Sequence, residues 1–233
     1  MKHIKFLLLL LSLILISRIT KAQLTETQGW FFLSHTQTLT NKFDLLADVQ
    51  TRSANRFNYL NTLLLRGALS YNINSQQSVA LGYAYKGDWE KENQSATAYS
   101  HENRIYEQYI HQFNIRRIEM MFRTRLEQRW INEEVSNFSQ RGRLFLSAQI
   151  PLNADTAFNK GPYLGVQNEL FLNVQHKSKI NNSLFDQNRA FTSVGYRFSK
   201  KMDAEIGYMF WYQKEIDNSY RRNVIQLMVT THF

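Results

Sequence analysis

The chain has 233 residues, with 28 Lys+Arg against 19 Asp+Glu, 14% aromatic residues, two prolines and no cysteine. Without cysteine there are no disulfide frameworks and no thiolate metal sites. A mean hydropathy of −0.43 excludes a bundle of membrane helices, but not a barrel whose strands need apolar residues only at alternate positions.

At the amino end, Lys2 and Lys5 precede an apolar run over residues 6–16, and Thr20-Lys21-Ala22 has the form of a cleavage site. A charged start, an apolar core of about 7–15 residues and small residues at the cut mark a secretory signal. The run falls well short of the ~20 residues that a spanning helix needs. Residues 1–22 are therefore expected to be a cleaved signal peptide, and 23–233 a single domain. Four basic residues (Lys2, Lys5, Arg18, Lys21) lie in that leader, leaving 24 Lys+Arg against 19 Asp+Glu. So small an excess does not point to a nucleic-acid partner.

Eleven segments then read as strands, over residues 30–38, 43–52, 60–71, 77–86, 102–111, 118–130, 141–150, 163–175, 188–198, 202–212 and 223–233. Several alternate with period two. In the second, Phe43, Leu45, Ala47 and Val49 oppose Asp44, Asp48, Gln50 and Arg52. Most reach the ~9–11 residues that cross a bilayer at a tilt, whereas strands of soluble domains are usually nearer ~5–6. Connections alternate too: short at 40–42, 73–76 and 199–201, long and polar at 87–100, 132–140, 176–187 and 214–222. Only 151–162 is long where a short turn is expected. The last segment sets Ile225, Leu227, Val229, Thr231 and Phe233 on one face and ends on that aromatic residue. Such an ending resembles outer-membrane barrels, whose last strand and terminal aromatic are read by the barrel-assembly machinery.

The expected fold is all-β: a transmembrane, antiparallel, up-and-down β-barrel of ten to twelve strands, in contact with the lipids of a Gram-negative outer membrane. Bacterial barrels of one chain have even strand numbers, so eleven visible segments are awkward. Twelve is favoured, with one strand hidden in a long loop; the alternative is ten, with the first segment outside the wall. Outward aromatics near strand ends (Tyr71, Tyr83, Tyr85, Tyr109, Trp130, Tyr196, Tyr208, Phe210, Tyr212) suit interfacial girdles. Glu107 and Asn168 have the wrong parity for lipid, which a bulge or a register change would explain.

Parity assigns to the lumen the basic residues Arg52, Arg66, Arg104, Arg123, Arg125, Arg129, Arg141, Arg143 and Arg189. It assigns there the acidic residues Asp48, Glu102, Glu127, Glu169 and Glu205, with Phe145, Phe171, Phe191, Met209 and Trp211 narrowing the space. Two functions compete. Arginines lining a porin-like, narrow passive channel would favour small anionic solutes. Arginines interlocked with acids would instead make an occluded structural barrel whose external loops bind a partner. A third candidate, a lipid hydrolase, rests on His176 and Ser178 sharing a strand face, a base beside a nucleophile. Lys179 follows them and no orienting acid is apparent, so no enzyme is expected. The six histidines have no metal-ligand spacing, and no metal or cofactor is expected.

The elements Glu102-Asn103-Arg104, Arg123-x-Arg125-Leu126-Glu127-Gln128-Arg129, Asp186-Gln187-Asn188-Arg189 and Gly195-Tyr196-Arg197, with Trp30 and Gln50-x-Arg52, resemble the family called domain of unknown function 2490. The resemblance covers about 30–233. It implies an outer-membrane barrel and supplies no substrate.

Overall fold

The computed structural model describes residues 23–91, 97–132, 136–154 and 157–233; the expected signal peptide lies outside them. Eleven strands follow in chain order: β1 (Gln23–Thr38), β2 (Phe43–Ser53), β3 (Leu60–Asn72), β4 (Gln77–Lys91), β5 (Thr97–Ile115), β6 (Ile118–Asn132), β7 (Ser136–Pro151), β8 (Gly161–Gln175), β9 (Phe185–Ser199), β10 (Met202–Lys214) and β11 (Ser219–His232). They close in the order β1-β11-β10-β9-β8-β7-β6-β5-β4-β3-β2.

Closure corrects the strand count of twelve. β1 is in the wall, antiparallel to β2 and parallel to β11, from Gln23 opposite Ser219 to Thr36 opposite His232. An even number is required only if every neighbouring pair is antiparallel. A parallel ladder also satisfies the backbone N–H and C=O groups, so one such seam lets eleven strands close. No hidden strand is needed, and the first segment is not left over. The opening of β1 was unreadable from sequence because residues 25–28 are all polar and do not alternate.

The connections β1–β2, β3–β4, β5–β6, β7–β8 and β9–β10, all short but the 152–160 one, share one end of the barrel with the carboxy-terminal residue, here the turn end; the remaining connections share the other, the loop end. Two expected loops contract. β4 and β5 pair as far as Lys91 opposite Thr97, and β6 and β7 as far as Asn132 opposite Ser136. Ladder pairing continues through polar residues where apolar alternation has stopped. At the turn end the Phe233 N–H donates to the Thr36 carbonyl (2.9 Å) and the Thr38 N–H to the Phe233 carbonyl (2.6 Å), fastening the parallel seam.

The faces are inverted relative to a soluble protein. Leu45, Leu65, Leu81, Ile105, Leu144, Val194, Ile206 and Leu227 are exposed on the outside, together with Tyr71, Tyr83, Trp130, Tyr196, Tyr208 and Phe210. Most of the lumen arginines, with Glu102, Glu127, Glu169, Glu205 and several glutamines, are buried within. Glu107 and Asn168 do face outward, and no bulge redirects them: Glu107 accepts from Gln128 (3.0 Å), and Asn168 exchanges hydrogen bonds with Asn188. Part of the inner space is packed. On β3 and β4 the small residues Ala68, Gly82 and Ala84 make a shallow wall on which Tyr106 lies; a side chain at Gly82 would collide with its ring.

Candidate functional site

The lumen holds a cavity of about 1100 Å³ that reaches from the β3–β4 turn to Ile180 and Gln213 near the loop end. Arg52, Arg66, Arg104, Arg123, Arg125, Arg129, Arg141, Arg143 and Arg189 all line it, with Asp48, Glu102 and Glu169. Glu127 and Glu205 are buried behind this lining. Glu127 contacts Arg141 and Arg143, and Glu205 accepts from Ser193 and Gln167.

Strand register explains the densest part. Arg104 stands directly opposite Arg129, and Arg125 opposite Arg143. Like charges so placed repel, and each pair is bridged by an acid two residues along a strand. Glu102 takes a two-point contact from Arg104 (2.7 and 2.9 Å) and another from Arg129 (2.5 and 3.1 Å). Glu127, only 1% exposed, accepts from Arg141 (3.0 and 2.7 Å) and from Arg143 (2.6 Å). Glu169 accepts from Arg143 and Arg123. Planar guanidinium forks suit this carboxylate chain, which a flexible ammonium would not reproduce.

One acid of the network is supplied by a bulge. Pairing slips between Phe171 and Leu172, so Asp186 and Gln187 are both buried although they are consecutive. Asp186 then accepts from Arg141 at 3.1 Å. Strict alternation misses it. Arg197, Arg222 and Lys86 were also passed over, though their parity pointed inward. Arg197 grips Asp203 and Glu119 and donates to Gln149 and to the Phe158 carbonyl. This holds buried Phe158, from the long 152–160 turn, inside the turn end. At the loop end, buried Asn181 is tied by Asn173 and by the carbonyls of Phe185 and Lys214. Both mouths are thus partly filled from within.

A second group of arginines is held differently. The Nε and Nη2 groups of Arg52 both donate to the Gln50 amide oxygen (3.2 and 2.6 Å), and those of Arg189 to the Gln187 oxygen (3.1 and 2.9 Å). Arg125 donates likewise to Gln108 (3.1 and 2.7 Å), with the Glu127 carboxylate 3.8 Å away. Arg52 and Arg189 form no ion pair among the described residues. Aromatic faces take the place of carboxylates: Arg52 lies 3.9 Å from the Trp30 ring, and Arg189 lies 4.7 Å from Phe171 and 4.5 Å from Trp211. A glutamine fixes the fork but leaves its charge.

His176 and Ser178 do not share a strand face. β8 ends at Gln175, His176 takes a left-handed conformation (φ 54°), and Ser178 sits in a single 3₁₀ turn. The His176 Nδ1 lies 3.2 Å from the Phe138 carbonyl. Among the described residues no group of three or more His, Asp or Glu side chains is placed to hold a metal ion.

No curated protein and no solved structure matches the chain. One family model does, described as a protein of unknown function (DUF2490), over residues 27–222. That span takes in nine whole strands, β2 to β10, with parts of β1 and β11, and all the lumen arginines, so the chain belongs to the DUF2490 family.

Proposed function

We propose that this protein is an outer-membrane barrel, exported through its amino-terminal signal, whose lumen is a narrow passive path favouring small anions. One observation carries the reading: Arg52 and Arg189 line a cavity of about 1100 Å³ with no carboxylate partner among the described residues. A charge with no carboxylate in direct contact, beside low-dielectric walls, raises the local concentration of counter-ions. The outward apolar belt supports a lipid surround, and the seam at Phe233 supports this residue as the assembly signal. Catalysis has no part in the reading.

The experiment is purified, folded protein in a planar bilayer. The reading expects small, resolvable conductance steps with anions preferred over cations. Absence of conductance would remove the path, and a cation preference would remove the arginine argument. The occluded barrel is the second reading, favoured by the ion-pair network at the waist and by Phe158 and Asn181 folded into the mouths. Under that reading, the same bilayer stays silent.

A further inference from the structure

We propose that Arg52 and Arg189, with the aromatic residues around them, form a binding site for a small carboxylate- or phosphate-bearing anion. The proposal rests on the lumen being accessible to small solutes, as the reading above requires. Both guanidinium groups share Trp30, one 3.9 Å and the other 5.2 Å from its ring centre, so they stand at one corner of the lumen. Strands β9, β10, β1 and β2 meet there because the parallel seam sets β1 beside β11.

The electrostatics leave this corner incomplete. An ionised group taken out of water needs a counter-charge. Stacking on tryptophan attracts the cation but brings no negative charge, and a glutamine oxygen offers a dipole, not a charge. Elsewhere in the lumen, the arginines of the waist receive carboxylates from the chain itself. Here two receive none, and both lie at the edge of open volume. A third donor is unused beside them: the Trp211 indole Nε1 is buried and has no hydrogen-bond partner among the described residues, while Arg189 stacks 4.5 Å from its ring. A ligand with two or more oxygens suits two forks and a spare N–H better than a monatomic halide does.

The sequence carries this arrangement as Gln-x-Arg twice, Gln50-x-Arg52 and Gln187-x-Arg189. Glu102-x-Arg104 has the same spacing with a carboxylate in the glutamine's place, and its arginine is neutralised. In these three elements the acid or amide two residues before the arginine decides whether the charge is spent inside the wall or offered to a solute.

The test uses the full folded barrel in detergent with Trp89→Phe and Trp130→Phe, which leaves Trp30 and Trp211 as fluorescent reporters. Titration with succinate or inorganic phosphate should give a saturable change at constant ionic strength, and chloride should not. The tighter of the two identifies a carboxylate- or a phosphate-bearing solute; either supports the site. Gln50→Glu and Gln187→Glu should each weaken binding at least tenfold; Gln50→Glu adds a partner for buried Arg52 and should not unfold the barrel, whereas Gln187→Glu also gives up the donation to Asp186 (3.1 Å), so its heat-modifiable fold is measured alongside. Gln37→Glu, at the turn end, should leave binding unchanged. Unchanged affinity in both inner variants would overturn the site, as would an equal response to chloride. Binding without bilayer conductance keeps the site and removes the path. Anion-selective conductance without saturable binding keeps the path and removes the site.

Discussion

Two walls of one lumen carry the same residue type and treat it in opposite ways. Along β5, β6, β7 and β8, the arginines meet Glu102, Glu127 and Glu169, most through two-point contacts. Around Trp30, Arg52 and Arg189 meet glutamine oxygens and aromatic faces. The first wall uses its charge to hold strands in register. The second fixes the direction of its charge and leaves it available. Arginine count alone therefore says little about selectivity; the partner two residues away or across the strand says more.

Exchanging the partners should break this contrast from either side. The largest effect is expected for Glu127→Gln, which gives the paired wall the glutamine of the other. Removing one partner from a buried ion pair typically costs about 3–5 kcal/mol, and Glu127 serves both Arg141 and Arg143. A large fall in the urea midpoint of the refolded barrel is expected; an unchanged midpoint would refute the structural role of this wall.

Deleting Phe233 comes next. It removes two main-chain hydrogen bonds across the seam, each worth about 1 kcal/mol net. Because Trp30 pairs with Gln226 across the same seam, the loss should alter Trp30 emission and lower the heat-modifiable fraction in membranes. Normal assembly and unaltered emission would separate Phe233 from both roles.

Gln50→Glu should change stability by only about 1 kcal/mol, an added surplus pair being partly offset by its own desolvation, yet shift ion preference clearly. A drop in stability as large as that from Glu127→Gln would erase the distinction between the walls.

The smallest effect has the opposite sign and lies outside the lumen. Glu107 faces outward among apolar residues with Gln128 as its partner. Replacing it by leucine should stabilise the barrel in lipid by about 1 kcal/mol, less than the cost of a basic residue there. Destabilisation would mean that the Glu107–Gln128 contact serves an interaction of its own.

Much of this architecture was legible in the chain. Strand-length runs, several of them alternating with period two, fell on each of the eleven strands, and parity put the nine arginines on the face that lines the cavity, since a side chain's face in a ladder is fixed by counting. Counting fails where the ladder slips, and the bulge at Leu172 brought Asp186 inward against its parity. It fails at polar strand ends such as the start of β1, where nothing alternates. The parallel seam is a property of closure, not of either strand. His176 and Ser178 looked alike in parity only while the strand was assumed to continue past Gln175. Part of the difference between the two walls is written in the chain as Glu102-x-Arg104 against Gln50-x-Arg52 and Gln187-x-Arg189, but Glu127-x-Arg129 has the same spacing without the contact, so its meaning needed the side chains.

The most direct measurement is the reversal potential across a potassium chloride gradient for the natural chain and for Gln50→Glu combined with Gln187→Glu. The account predicts a chloride preference in the natural barrel that collapses towards no preference, or towards potassium, in the double variant. A natural barrel that prefers potassium, or a selectivity that the two substitutions leave unchanged, would contradict it.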